Sequence, residues 1–139
     1  MMHSWIKTHP NGIVVHSAAV GDYECEQTSS TKISSQRNEL LLKLVPAPKI
    51  LSSLHNVSPK LCIVSFKAAA PHVSRKELLE IAQKQLDASH SKMVFANRLG
   101  STDKDIMLVF RDRNEDYAAR SDGIQRLIDC LKTWQTEPT

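Results

Sequence analysis

The stretch Val14-Val15-His16-Ser17-Ala18-Ala19-Val20-Gly21-Asp22-Tyr23 decides how this chain is read. It continues from Ile13 as a short apolar strand, then turns to small residues, then ends on glycine, aspartate and tyrosine. The first strand is predicted over Ile13–Ala19, apolar enough to be central in a sheet. Small residues after a buried strand let another backbone or a ligand come close. A carboxylate just past the carboxyl end of a strand lies where open α/β sheets bind ligands. Asp22 therefore marks a place for a polar ligand.

Outward from this stretch, Met2–His9 is predicted as a helix that ends at Pro10-Asn11-Gly12. Glu24–Thr31 reads as a polar loop and Lys32–Ser35 as a short strand or its approach. A turn over Gln36-Arg37-Asn38 leads to a strand over Glu39–Val45, whose Leu40, Leu42 and Leu44 form a candidate core face. Lys49–His55 is a helix started by proline, and Leu61–Phe66 is a compact apolar strand followed by an Ala68–Pro71 loop. Ser74 and Glu77 form a capping box for a helix over Arg75–Ser89, with Leu78, Ile81, Ala82 and Leu86 on one side. Strands follow at Met93–Phe95 and Ile106–Phe110, and Arg111–Ala119 is a polar hairpin return. Ser121 caps a last helix with Ile124, Leu127, Ile128 and Leu131 as its stripe. Strands alternating with helices after residue 45 imply an α/β sandwich with partly parallel strands. No linker splits the chain, so residues 1–139 read as a single domain.

Composition narrows the function classes. The chain has 139 residues, enough for one domain with its own core. A net charge of +3 is too small to argue for nucleic acid. No apolar run approaches a bilayer span, and Met1–Pro10 lacks the pattern of a signal peptide. Cys25, Cys62 and Cys130 are odd in number and widely spaced, which fits a reducing cytoplasm and neither a zinc site nor a redox pair. The six histidines show no H-x-x-x-H spacing, so no protein-held metal is expected. His16 and Ser17 are neighbours on a strand and point apart, so no triad forms there. Neither G-x-S-x-G nor a P-loop occurs. By residue type alone, Asp22 reads as a turn former and Lys32, Lys67 and Lys84 as solvated lysines.

The ordered strings change that weighting. Ala18-Ala19-Val20-Gly21-Asp22-Tyr23, Lys32-Ile33-Ser34-Ser35, Pro48-Lys49-Ile50, Ser65-Phe66-Lys67 and Val94-Phe95-Ala96-Asn97 come in one order with workable gaps. The series resembles phosphopantothenate–cysteine ligase, also called phosphopantothenoylcysteine synthetase, the C-terminal domain of the DNA/pantothenate metabolism flavoprotein family. It covers the latter part of that domain and most of this chain. The resemblance implies a Rossmann-like three-layer sandwich with a mostly parallel sheet and a small β extension that builds a homodimer, here lacking the usual amino-terminal portion. It also implies a reaction of coenzyme A synthesis. CTP or ATP, with Mg2+, activates the carboxylate of 4′-phosphopantothenate to an acyl-nucleotidylate, and cysteine then forms the amide. No FMN is expected in this chain, and neither nucleic acid nor membrane is an expected partner.

Residue by residue, the resemblance makes Lys32 the catalytic lysine and a nucleotide contact. Asp22, Phe66 and Lys84 match further nucleotide contacts, and Pro48, Lys49 and Ile50 fall beside the nucleotide. Ala18 and Ala19 match the small pair against which substrate lies, and Asn97 matches an asparagine on the substrate. Ala88 and Ser89 stand where many bacterial members carry a second lysine, and Arg98 replaces a common aspartate. Nothing in Met1–Pro10 matches the family's amino-terminal portion, with its phosphate-binding loop and an asparagine of the second half-reaction. The resemblance thus leaves three expectations: a fragment of the ligase, one half of a split ligase completed by a separate amino-terminal half, or a non-catalytic nucleotide-binding or assembly module descended from it.

Overall fold

The computed structural model describes residues 2–36 and 38–136. In chain order the elements are α1 (Met2–Thr8), β1 (Ile13–His16), β2 (Tyr23–Cys25), β3 (Leu44–Pro46), α2 (Ile50–Val57), β4 (Cys62–Ala69), α3 (Arg75–Ser89), β5 (Met93–Arg98), β6 (Lys104–Val109), β7 (Asn114–Ala119) and α4 (Arg120–Thr136). They fall into two compact units, one of residues 1–18 with 51–139 and one of residues 19–50.

The larger unit holds a five-stranded sheet in the order β1-β4-β5-β6-β7. β1, β4 and β5 are parallel, with Val14 opposite Ile63 and Phe66 opposite Phe95. β6 and β7 return antiparallel. Alternation along the strands sorts the core into two faces. Val64, Met93, Phe95, Ile106 and Leu108 pack with Leu127 and Cys130 of α4. Val94, Ala96, Met107 and Val109 pack with Leu78, Ala82 and Leu86 of α3. Ile6 of α1 and Leu54 of α2 close over Val14 and Ile63. This is the α/β, Rossmann-like sandwich expected.

Local chemistry explains the helix ends. The Ser74 hydroxyl accepts from the Glu77 amide, and the Glu77 carboxylate accepts from the Ser74 amide at 2.8 Å, which satisfies two orphan donors of α3. His90 ends α3 in the left-handed region at φ 52°. Gly123 lets α4 lie close on the sheet: a Cβ there would stand 2.9 Å from Ile106 Cγ2. No helix among the described residues is long and apolar enough to cross a membrane.

Several elements differ from expectation. β1 stops at His16, where its pairing with Ser65 ends, and among the described residues it is an outer strand; Val15 on its far face is 42% exposed. β4 runs on to Ala69 because β5 extends to Arg98 beside it, so the expected Ala68–Pro71 loop begins later. The polar Asn114–Ala119 is a full strand, paired along β6. α4 begins at Arg120, which places Ser121 inside its first turn; its buried positions are Gly123, Leu127 and Cys130, and Ile128 is exposed.

The smaller unit carries the largest corrections. Its two-stranded sheet pairs Tyr23 with Pro46 and Cys25 with Leu44, so Tyr23–Cys25 is a strand rather than part of a loop. Lys32–Ser35 and residues 39–43 are irregular. Ser29 and Ser34 turn the chain locally, their hydroxyls accepting from the Thr31 and Gln36 amides at 3.2 Å, in competition with strand pairing. Leu40, Leu42 and Leu44 are 49%, 58% and 54% exposed and form no core face, since nothing among the described residues of this unit covers them. The turn expected over Gln36–Asn38 includes Arg37, which lies outside the described residues.

Candidate functional site

In the smaller unit the β2–β3 pairing brings two of the sequence strings together. The Ala47 amide donates to the Asp22 carbonyl at 2.9 Å, extending the ladder one step past Tyr23–Pro46. Lys49, two residues on, then forms an ion pair with the Asp22 carboxylate. Both side chains are exposed, at 66% and 75%. A carboxylate and an ammonium on one solvent-open edge can meet a polar ligand through either charge. Pro48 is exposed beside them, and Ile50 opens α2. Ala19 and Lys32 also belong to this unit; both are exposed, with Lys32 in the irregular segment.

In the larger unit Phe66 and Asn97 share the face covered by α4. The Phe66 ring stacks on Phe95 at 4.9 Å between centroids. Asn97, opposite Ala68 and 8% exposed, lies one same-face step further along β5. Arg120, at the start of α4, places its guanidinium 5.2 Å from the Phe95 centroid and donates to the Thr102 carbonyl. Phe66, Phe95 and Arg120 thus stack on this face, and Asn97 lies on the same face nearer the carboxyl end of β5, the end at which open α/β sheets bind ligands. Ala18 is the last residue of this unit before the chain enters the smaller one.

Lys84 is placed differently. It projects from the exposed side of α3, which covers the opposite sheet face from Phe66. Its neighbour Gln85 makes the contact to the strand: its amide donates to Ser65 Oγ at 3.1 Å and to the Phe66 carbonyl at 3.0 Å. The Ser65 hydroxyl meets Ser91 at 2.9 Å, Ser91 meets Ser89 at 2.6 Å, and the Ser89 hydroxyl donates to the Gln85 carbonyl at 2.6 Å. Each hydroxyl has one proton. Ser91 donates to Ser65, so Ser65 Oγ accepts from both Gln85 and Ser91. These polar contacts run from the Gln85 side chain through Ser65, Ser91 and Ser89 to the Gln85 carbonyl, with all three serines buried. Gln85 was missed in the sequence, although it lies three residues after Ala82 and seven after Leu78. A polar residue on an apolar stripe is the signal that could have found it.

The carboxylates of the larger unit that carry strong partners lie elsewhere. Glu115 accepts two hydrogen bonds from Arg126, at 2.8 and 3.0 Å, and others from Arg113 and Tyr117. The bonds from Arg126 above all, with those from Tyr117 and Arg113, hold its carboxyl down at about 2. Among the described residues no group of three or more His, Cys, Asp or Glu could hold a metal ion.

Three comparisons bear on this arrangement. The profile of the DNA/pantothenate metabolism flavoprotein C-terminal domain matches residues 1–132. The chain is 35% identical over 114 residues to the coenzyme A biosynthesis bifunctional protein CoaBC of Thermococcus kodakarensis, across 80% of this chain and 28% of that protein. It is 36% identical over 87 residues to the CoaBC of Methanocaldococcus jannaschii, across 63% of this chain and 21% of that protein. The chain therefore spans less than a third of the curated relatives it matches. The DNA/pantothenate metabolism flavoprotein from Streptococcus pneumoniae shares the fold at a TM-score of 0.77 and 22% identity, over 96% of this chain and 69% of that one. A Cab2 variant solved in complex with phosphopantothenate-cysteine superposes at a TM-score of 0.56 and 22% identity, over 68% of this chain and 33% of that one. On the profile and the curated relatives, this chain belongs to the DNA/pantothenate metabolism flavoprotein C-terminal domain family.

Proposed function

We propose that this chain is the nucleotide-binding and acyl-activating part of a phosphopantothenate–cysteine ligase. The observation that carries the reading is the meeting of Asp22 and Lys49 on the β2–β3 ladder, because it joins two strings that the family resemblance assigns to one nucleotide. Family membership and the CoaBC relatives support the pathway, coenzyme A synthesis.

In this reading CTP or ATP enters with its own Mg2+, as substrate. Magnesium keeps much of its water and binds through phosphates with few protein ligands, so it does not require a protein cage. The 4′-phosphopantothenate carboxylate attacks the α-phosphorus. A carboxyl O–P bond forms, the bond to the β-phosphate oxygen breaks, and pyrophosphate leaves. The cysteine amine then attacks the acyl carbon. The C–N bond forms, the acyl C–O bond to the nucleotide phosphate breaks, the neutral amine gives up one proton, and the nucleoside monophosphate departs. Lys32 supplies a positive charge while charge shifts onto the α-phosphate, Asp22 and Phe66 bind nucleotide, and Ala18, Ala19 and Asn97 line the substrate. Lys84 reaches the nucleotide from the exposed side of α3. The functional unit is a homodimer joined partly through residues 32–45, whose leucines are exposed, and the family's amino-terminal portion completes the site.

The test is formation of phosphopantothenoylcysteine, read by mass spectrometry with CTP or ATP. The chain is assayed alone and with the amino-terminal part of a CoaBC ligase domain. Product in either mixture supports the ligase. Nucleotide binding without product in both mixtures would leave the non-catalytic module as the better account.

A further inference from the structure

A cavity of about 500 Å³ opens between the end of α4 and the β6–β7 turn. Its walls include Lys92, Phe110, Arg111, Arg113, Arg126 and Trp134. Lys92 precedes β5 and Phe110 follows β6, so this cavity lies at the amino ends of the parallel strands. Phe66 and Asn97 stand toward the carboxyl ends. None of the sequence strings maps to this cavity.

Four cations meet two carboxylates here, Asp112 and Glu115, an excess of two positive charges. Arg126 and Arg113 share Glu115, which fixes both forks. Two of the cations also rest on aromatic faces. The Lys92 ammonium is 4.6 Å from the Trp134 ring centroid, and the Arg113 guanidinium is 4.1 Å from that of Phe110. Such cations are already positioned, so a ligand spends little on ordering them. Arg111 is exposed beside them on the turn. The volume suits a small molecule rather than a polymer. Cations approaching from two sides, with forked donors among them, match an anion with several oxygens and more than one charge.

We infer that this cavity is a separate binding site for a small phosphate-bearing polyanion. The site rests on the residues above and is independent of the ligase reading. Its wall also includes Ser91, which donates to Ser65, the serine that also accepts from Gln85.

The probe is pyrophosphate, with inorganic phosphate beside it and sodium chloride at matched ionic strength as control. Amide and indole shifts of the full chain are followed by NMR. Pyrophosphate is expected to move Lys92, residues 111–113 and the Trp134 indole along one saturating curve, with a dissociation constant on the order of 1 mM or below. Arg111→Ala and Lys92→Ala, both at exposed positions, should each weaken it by roughly tenfold while the remaining spectrum stays in place. Shifts that never saturate, or that chloride reproduces, overturn the site. So do saturating shifts confined to residues 19–50, which would report the nucleotide residues instead, and saturating shifts in the cavity that Arg111→Ala leaves unchanged.

Discussion

Asp22 and Lys49, 27 residues apart, form an ion pair because the β2–β3 ladder extends through the Asp22 carbonyl to the Ala47 amide. The pair is open to solvent, so its contribution to stability is small, under about 1 kcal/mol. Its expected value lies in ligand binding. The native chain should bind CTP or ATP with magnesium in calorimetry, and Asp22→Asn should weaken that binding by roughly tenfold, the cost of one charge-assisted contact. The thermal midpoint should hardly move. No heat from the native chain at millimolar nucleotide would count against Asp22 as a nucleotide ligand.

Gln85 and Lys84 are adjacent, yet their substitution should give opposite results. Gln85→Leu leaves the Ser65 hydroxyl short of a donor and the Phe66 carbonyl without its side-chain partner, beside the buried serines. That should cost about 1–3 kcal/mol in urea unfolding. Lys84→Ala, on the exposed side of α3, should leave stability unchanged and show only in nucleotide affinity. A Lys84→Ala variant as unstable as Gln85→Leu would contradict this assignment of the two side chains.

Acid sensitivity follows from Glu115. Its carboxyl is held near 2 in the folded chain, chiefly by hydrogen bonds from Arg126, against about 4.3 when unfolded. The folded state therefore binds fewer protons between those values. The stabilisation is fully present above the unfolded value and is lost as pH falls toward 2. Urea midpoints between pH 6 and pH 3 (about one unfolded carboxylate's range) should fall more steeply for the native chain than for Glu115→Gln. Parallel curves would show that this carboxylate has no preferential partner in solution.

Leu41 is 86% exposed, and Ile33, Leu40, Leu42 and Leu44 are exposed in the same unit. So much apolar surface on so short a segment is a mark of an interface. Light scattering at tens of micromolar (roughly a weak dimer's range) should give a dimer mass for the native chain and a monomer mass for Leu41→Asp. A monomeric native chain would remove residues 40–44 as a dimer contact.

How far the chain was legible depended on whether local signals and tertiary demands agreed. α3 was readable end to end, since the Ser74–Glu77 box and the Leu78–Ala82–Leu86 stripe say the same thing. β2 was not: Tyr23, Glu24 and Cys25 are all exposed, so no alternation marks them. The leucines of residues 40–44 resemble a core strand, but a run of apolar residues forms one only where a second layer covers it, and the described residues of their own unit provide none. β7 carries little apolar signal beyond Tyr117 and owes its pairing to β6. For the proposed site, Asp22, Lys32 and Phe66 are singled out by resemblance and not by residue type. Gln85 and Arg120 were overlooked because their roles depend on contacts distant in sequence, with Phe66 and with Phe95 and Thr102.

The central claim is that this chain activates a carboxylate with a nucleotide, and that Lys32 stabilises the transition state more than the ground state. Lysine is a flexible point charge, so its ground-state contact should be weak. Its loss from the transition state should cost on the order of 3 kcal/mol, about a hundredfold in rate. The direct measurement is pyrophosphate release from CTP or ATP with 4′-phosphopantothenate, without cysteine and with the amino-terminal part supplied, for the native chain and Lys32→Gln. The account predicts release by the native chain, a rate about a hundredfold lower for Lys32→Gln, and nearly equal nucleotide affinity for both. Equal rates would remove Lys32 from the chemistry, and no release from the native chain would contradict the ligase reading itself.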